Sequence, residues 1–122
     1  MANLKASTYA NRELAEQHHL TLVDHAIAVA RHTNASQELI YRQKVEEAVA
    51  GGGELLEAEA ALLDKPINEL IDSVLIQHNE RQQRISQMEL LRIKAKKEIR
   101  EAQTAAEMHR IADRLQRQLV AP

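Results

Sequence analysis

The chain has 122 residues, of which 44% are hydrophobic, with 16 basic and 18 acidic side chains and a net charge of −2. It has no cysteine, which excludes disulfides, thiolate catalysis and Cys-based zinc sites. It also lacks Phe and Trp and has only Tyr9 and Tyr41 as aromatics, so a single copy buries little area per side chain and gains from self-association.

The apolar residues are mostly Ala, Leu, Ile and Val, interspersed with Glu, Lys, Arg and Gln. Most of these lose little rotamer freedom in a helix, and the composition predicts an all-α fold. No charged start leads into an apolar core, and no apolar run approaches the roughly 20 residues that span a bilayer. A cytoplasmic protein without a membrane partner is expected. Residues 1–70 carry 6 basic and 11 acidic groups, whereas residues 71–122 carry 10 and 7. This asymmetry favours antiparallel or head-to-tail association, or approach of the C-terminal helix to an anion.

In chain order, a first helical region is predicted from about Tyr9 to Arg31, with a break at His19-Leu20-Thr21. Thr21 and Asp24 match a capping box that restarts the helix at Leu22, and Leu20, Val23, Ile27 and Ala30 line one face. Thr33 to Ser36 end this region, and Asn34 or Ser36 caps the next helix. That helix carries Leu39, Ile40, Val45 and Val49 and stops at Gly51-Gly52-Gly53. A short helix, Glu54 to Leu63, presents Leu55, Leu56, Ala60 and Leu63. Asp64-Lys65-Pro66 then starts another helix, since proline suits a first turn.

Ile67 to Ala102 contains no Gly or Pro and reads as one helix of roughly 50 Å at 1.5 Å per residue. Ile71, Val74, His78, Arg81, Ile85, Met88, Arg92, Ala95, Ile99 and Ala102 recur at alternating steps of three and four. This is a heptad-type seam facing a partner helix, either a second copy or the N-terminal helices. Arg81 and Arg92 are expected to pair with glutamates or to reach solvent, because burying them alone is costly. Thr104 and Glu107 form a second capping box, and Met108, Ile111, Ala112, Leu115 and Leu119 give the last helix one apolar face. The expectation is four or five helices with one long central helix, in a helical-bundle or coiled-coil type dimer. Residues 1–66 form an N-terminal helical region of two to three helices, and 67–122 a long helix plus a short one, together a single domain.

Five candidate sites stand beside plainer readings. His18, His25 and His32 lie seven apart and share a helix face. Seven residues span about 10 Å along the axis, too far for one metal ion, so a solvated or interfacial stripe is the simpler reading. Glu16 and His19 match the Glu-x-x-His spacing of di-metal bundles, but a single copy of the motif needs a partner to complete a site. Residues 14–31 suggest a helix-turn-helix turning at 19–21, though few groups there could read base edges. Arg92, Lys94, Lys96, Lys97 and Arg100 could contact phosphates. Glu89, Glu98 and Glu101 are interleaved with them, with Glu89 placed to reach Lys96 across a coiled coil. The triple glycine lacks the residues of a P-loop and reads as a connection.

No convincing catalytic constellation appears. Ser7, Ser36, Ser73 and Ser86 stand in no nucleophile-elbow pattern. The expected function is a non-enzymatic oligomeric helical adaptor or scaffold, needing no cofactor, with itself and another protein as partners. The alternatives are a small dimeric DNA-binding regulator, using 14–31 or the basic helix at 92–100, and a metal-binding helical bundle.

Overall fold

The computed structural model describes residues 11–32 and 34–120. Among these the chain is all-helical, with α1 at Arg12–Ala30, α2 at Ala35–Ala50, α3 at Glu54–Leu63, α4 at Ile67–Glu101 and α5 at Ala105–Val120. The predicted start at Tyr9 lies outside the described residues. No described helix is long and apolar enough to cross a membrane.

The helix boundaries follow local chemistry. Asn11 caps α1 by accepting from the Leu14 N–H at 2.9 Å. Asn34 caps α2 by accepting from the Ser36 and Gln37 N–H groups at 2.8 and 3.3 Å. The Thr104 hydroxyl accepts from the Glu107 N–H at 3.2 Å at the start of α5. Each supplies a partner to an N–H group that the first helical turn leaves without one. Gly51 ends α2 with φ 91°, a left-handed position that glycine adopts without strain. The Gly52 N–H then donates to the Glu47 carbonyl at 2.8 Å. Asp64 closes α3 at φ 54°, which a short polar side chain tolerates.

The break expected at 19–21 does not form: α1 is one helix through Arg12–Ala30. The chain there holds neither Gly nor Pro. Ala15, His19, Val23 and Ile27 follow at steps of four as a single buried stripe that would be split by a turn. Thr21 stays exposed, and Asp24 pairs with α4 instead of capping. The helix-turn-helix reading of 14–31 therefore loses its turn.

The described residues divide into two compact units: 11–32 with 86–120, and 34–85. In the first, the terminal unit, α1 and α5 flank the C-terminal part of α4. Ala15 and Val23 of α1, Ala95 and Ile99 of α4, Ala102, and Met108 and Leu115 of α5 form its core. Leu20, Leu91, Ala105, Ile111 and Leu119 pack around them. Asp24 meets Arg92 and Lys96, while Arg12 meets Ala102, so α1 runs antiparallel to α4. Glu98 meets Arg114, which fits α5 folding back along α4. Alanines at 15, 95 and 102 let the backbones approach closely. The Arg12 guanidinium donates to the carbonyls of Ala102 at 2.6 Å and Arg100 at 2.8 Å, placing a cation on the free carbonyls that end α4.

In the middle unit, α2, α3 and the N-terminal part of α4 enclose Ala48, Leu56 and Ile71, with Ile67, Val74 and Leu75 packed against them. The large apolar residues of α2 do not make its buried face. Leu39, Ile40 and Val49 are exposed and Val45 is half-buried, while Ala48 turns inward. At 100° per residue the four apolar positions do not form one stripe, whereas Glu38, Tyr41, Val45 and Ala48 do.

Glu47 joins α2 to α3. Its carboxylate accepts from the Leu56 N–H at 2.8 Å and the Leu55 N–H at 3.2 Å. These hydrogen bonds, the one from Leu56 foremost, hold its pKa below the ordinary carboxylate range despite some desolvation. Gly53 makes room for it, because a Cβ there would overlap the Glu47 side chain. The N-terminal amides of α3, which a phosphate cradle at 51–53 would require, are thus occupied by the chain's own carboxylate.

Candidate interaction site

The long-helix seam lies against the chain's own helices. Ile71, Ala95, Ile99 and Ala102 are buried, and Val74, His78, Arg81, Ile85, Met88 and Arg92 are half-buried. Ile71 and Val74 belong to the core of the middle unit; Ala95, Ile99 and Ala102 belong to that of the terminal unit. Ile71 and Val74 pack with α2 and α3, and Ala95, Ile99 and Ala102 pack with both α1 and α5.

The polar residues in the seam are all engaged. Arg81 donates to Glu38 at 2.7 Å, and its guanidinium carbon lies 4.1 Å from the centre of the Tyr41 ring. The Tyr41 hydroxyl bonds the Nδ1 of His78. Arg92 pairs with Asp24 and with Glu89, both at 2.9 Å. The expectation that Arg81 and Arg92 pair with acidic groups is met. Glu89 bonds Arg92 on its own helix, and Lys96 instead meets Asp24 at 3.0 Å.

These contacts occupy most of the basic cluster. Arg92 and Lys96 close on Asp24, and Lys97 bonds Glu101 at 3.0 Å. Lys94 and Arg100 are exposed and form no ion pair among the described residues. Asp24 is held below the ordinary carboxylate range, first by its hydrogen bond from Lys96 and then by Arg92, against the cost of desolvation. Because folding lowers this pKa, its stabilisation is complete above about 3.9, the ordinary aspartate value, and is lost as pH falls below it. Asp24→Asn is expected to flatten the acid limb of the stability curve. The urea midpoint of the wild type should drop more between pH 5 and pH 3 than that of the variant. Equal drops would show that the Asp24 contacts contribute nothing.

Glu16 and His19 are each engaged within α1. Glu16 bonds Arg12 at 3.1 Å, while His19 is fully buried and bonds the Ala15 carbonyl through Nδ1 at 2.7 Å. Among the described residues no group of three His, Asp or Glu side chains is arranged to hold a metal. His18 and His25 remain on the exposed side of α1, and His32 lies just beyond its end.

That exposed side of α1 leads into a groove that the sequence reading did not identify. The groove lies between α1 and α5 and has a volume of about 420 Å³. Leu22, Ala26, Val29 and Ala30 of α1 line one wall, and Ala112, Leu119 and Val120 of α5 line the other. His25, His109, Asp113 and Gln116 also border it. Val29 and Val120 are 62% and 79% exposed. Asp113 is the only formally charged side chain apart from the imidazoles, and Arg117 neutralises it at 2.6 Å. Apart from Asp113 and the two imidazoles, its lining carries no ionisable side chain.

α1 thus has a second side that mixes apolar residues with histidines. Ala15, His19, Val23 and Ile27 face the core, while Leu14, His18, Leu22, His25 and Val29 recur outside at steps of four, four, three and four. The outer set has coiled-coil spacing and was legible in principle once α1 was read as unbroken. No family model, curated protein or solved structure matches the chain.

Proposed function

We propose that the chain is a non-enzymatic oligomeric helical adaptor that acts through protein–protein contacts. The observation that carries this reading is the neutral, apolar groove between α1 and α5, with Leu22, Val29 and Val120 exposed along it. Interface cores are depleted in charge, and an apolar helix face beside a groove is the form in which helices receive other helices.

Val29→Glu tests the reading. Val29 lies outside the core of the single chain, so the helical content should change little, while the urea midpoint falls by the stability that association supplied. Burying an unpaired carboxylate at an interface is costly, so the mass measured by light scattering after size exclusion should fall from an oligomer to a monomer. An oligomer that survives Val29→Glu unchanged would remove the groove from the interface.

A further inference from the structure

We infer that the junction of α1 and α5 is a proton-operated latch, held shut by the neutral His19 ring and released when that ring takes up a second proton. The latch is independent of what enters the groove.

His19 stands in the buried stripe of α1 between Ala15 and Val23. Among the described residues it is the one polar side chain that is fully buried. Its Nδ1 bonds the Ala15 carbonyl at 2.7 Å. A carbonyl oxygen only accepts, so Nδ1 carries the hydrogen of the neutral ring, and Nε2 is the atom that a second proton must reach. Nε2 is itself buried. The neighbours on either side, Ala15 and Val23, pack with Met108 and Leu115 of α5. A charge on His19 therefore arises inside the contact that holds α1 and α5 together.

The groups around the ring add like charge rather than a counter-ion. On α5 the His109 ring faces His19 with centroids 6.3 Å apart, and on α1 the His18 ring meets it edge-on at 5.1 Å. The carboxylates of the same helices are engaged elsewhere: Glu16 with Arg12 at 3.1 Å, Asp24 with Arg92 and Lys96, and Asp113 with Arg117 at 2.6 Å. Glu107 shares the α4 side of α5 with Ile111 and Arg114. α4 itself presents Ala95, Ile99 and Ala102 to this core, and its Glu98 bonds Arg114. Burying an imidazolium in such surroundings is disfavoured. The support that neutral His19 gives to folding is thus whole above about 6.5, the ordinary histidine value, and is lost as pH falls below it.

The test follows urea unfolding of the wild type and of His19→Met between pH 7.5 and pH 5. Methionine is apolar and unbranched and adapts to the vacated space. One extra proton bound on unfolding lowers the folding constant by up to about tenfold for each pH unit below about 6. The wild type is expected to show this added slope and His19→Met to lack it. Equal slopes in the two proteins would overturn the inference. Should His19→Met fail to fold, nuclear magnetic resonance of the wild-type imidazoles decides. A His19 ring that stays neutral in the folded protein at pH 5.5 upholds the latch, and one that charges at the ordinary value while the protein remains folded overturns it.

Discussion

Ile99→Ala is expected to destabilise the protein by about 2–5 kcal/mol. Ile99 is fully buried and sits with Val23, Met108 and Leu115 where α1, α4 and α5 meet. Truncation removes three methyl or methylene groups and leaves a cavity. The surrounding alanines at 15, 95 and 102 are too small to close it. With no Phe or Trp to share the load, the terminal unit depends on a few aliphatic side chains and on Met108. The control is Ile93→Ala on the same helix. Ile93 is 51% exposed, so its loss should stay within about 0.5 kcal/mol. Urea unfolding followed by circular dichroism checks both. Equal losses would mean that the seam does not face the core as described.

A proline at Ser86 is expected to cost at least about 3 kcal/mol. Ser86 lies inside the 35-residue helix α4, where one unit's residues give way to the other's. Its exposed side chain makes little contribution by packing, so the loss would come from the backbone. Proline deletes the hydrogen bond to the Gln82 carbonyl and pushes its ring against that carbonyl. Ser86→Ala, which keeps the N–H, should be neutral or slightly stabilising. A Ser86→Pro loss below about 1 kcal/mol would show that α4 is already interrupted at this point.

Features decided by local chemistry were legible in the sequence. The long helix followed from 36 residues without Gly or Pro. Gly51, Asp64-Lys65-Pro66 and Thr104 marked boundaries because capping and turn chemistry act within a few residues. The need of Arg81 and Arg92 for acidic partners followed from the cost of burying a lone guanidinium.

Which acid each arginine would choose could not be read. Glu38 is 43 residues from Arg81, and Asp24 is 68 from Arg92. The same distance hid Arg12 on the carbonyls that end α4, and the Tyr41–His78 bond. Nothing local to Glu47 signals its hydrogen bonds from the Leu55 and Leu56 N–H groups, which form only once α3 folds back onto α2. Thr21 and Asp24 match a local cap, but tertiary pairing with Arg92 and Lys96 has the stronger claim on Asp24, and α1 runs on unbroken. A break at that cap also hides the groove, because Leu14, His18, Leu22, His25 and Val29 share a side only on an unbroken helix.

The central claim is that the neutral side of α1 and α5 joins copies of this chain. Sedimentation equilibrium of the wild-type protein, from low to high salt, tests it most directly. The expected result is twice the chain mass of 13.8 kDa, with an association that persists or tightens as salt rises, because apolar burial is not screened. A mass of one chain at every concentration and salt, or a dimer that dissolves as salt rises, would contradict it.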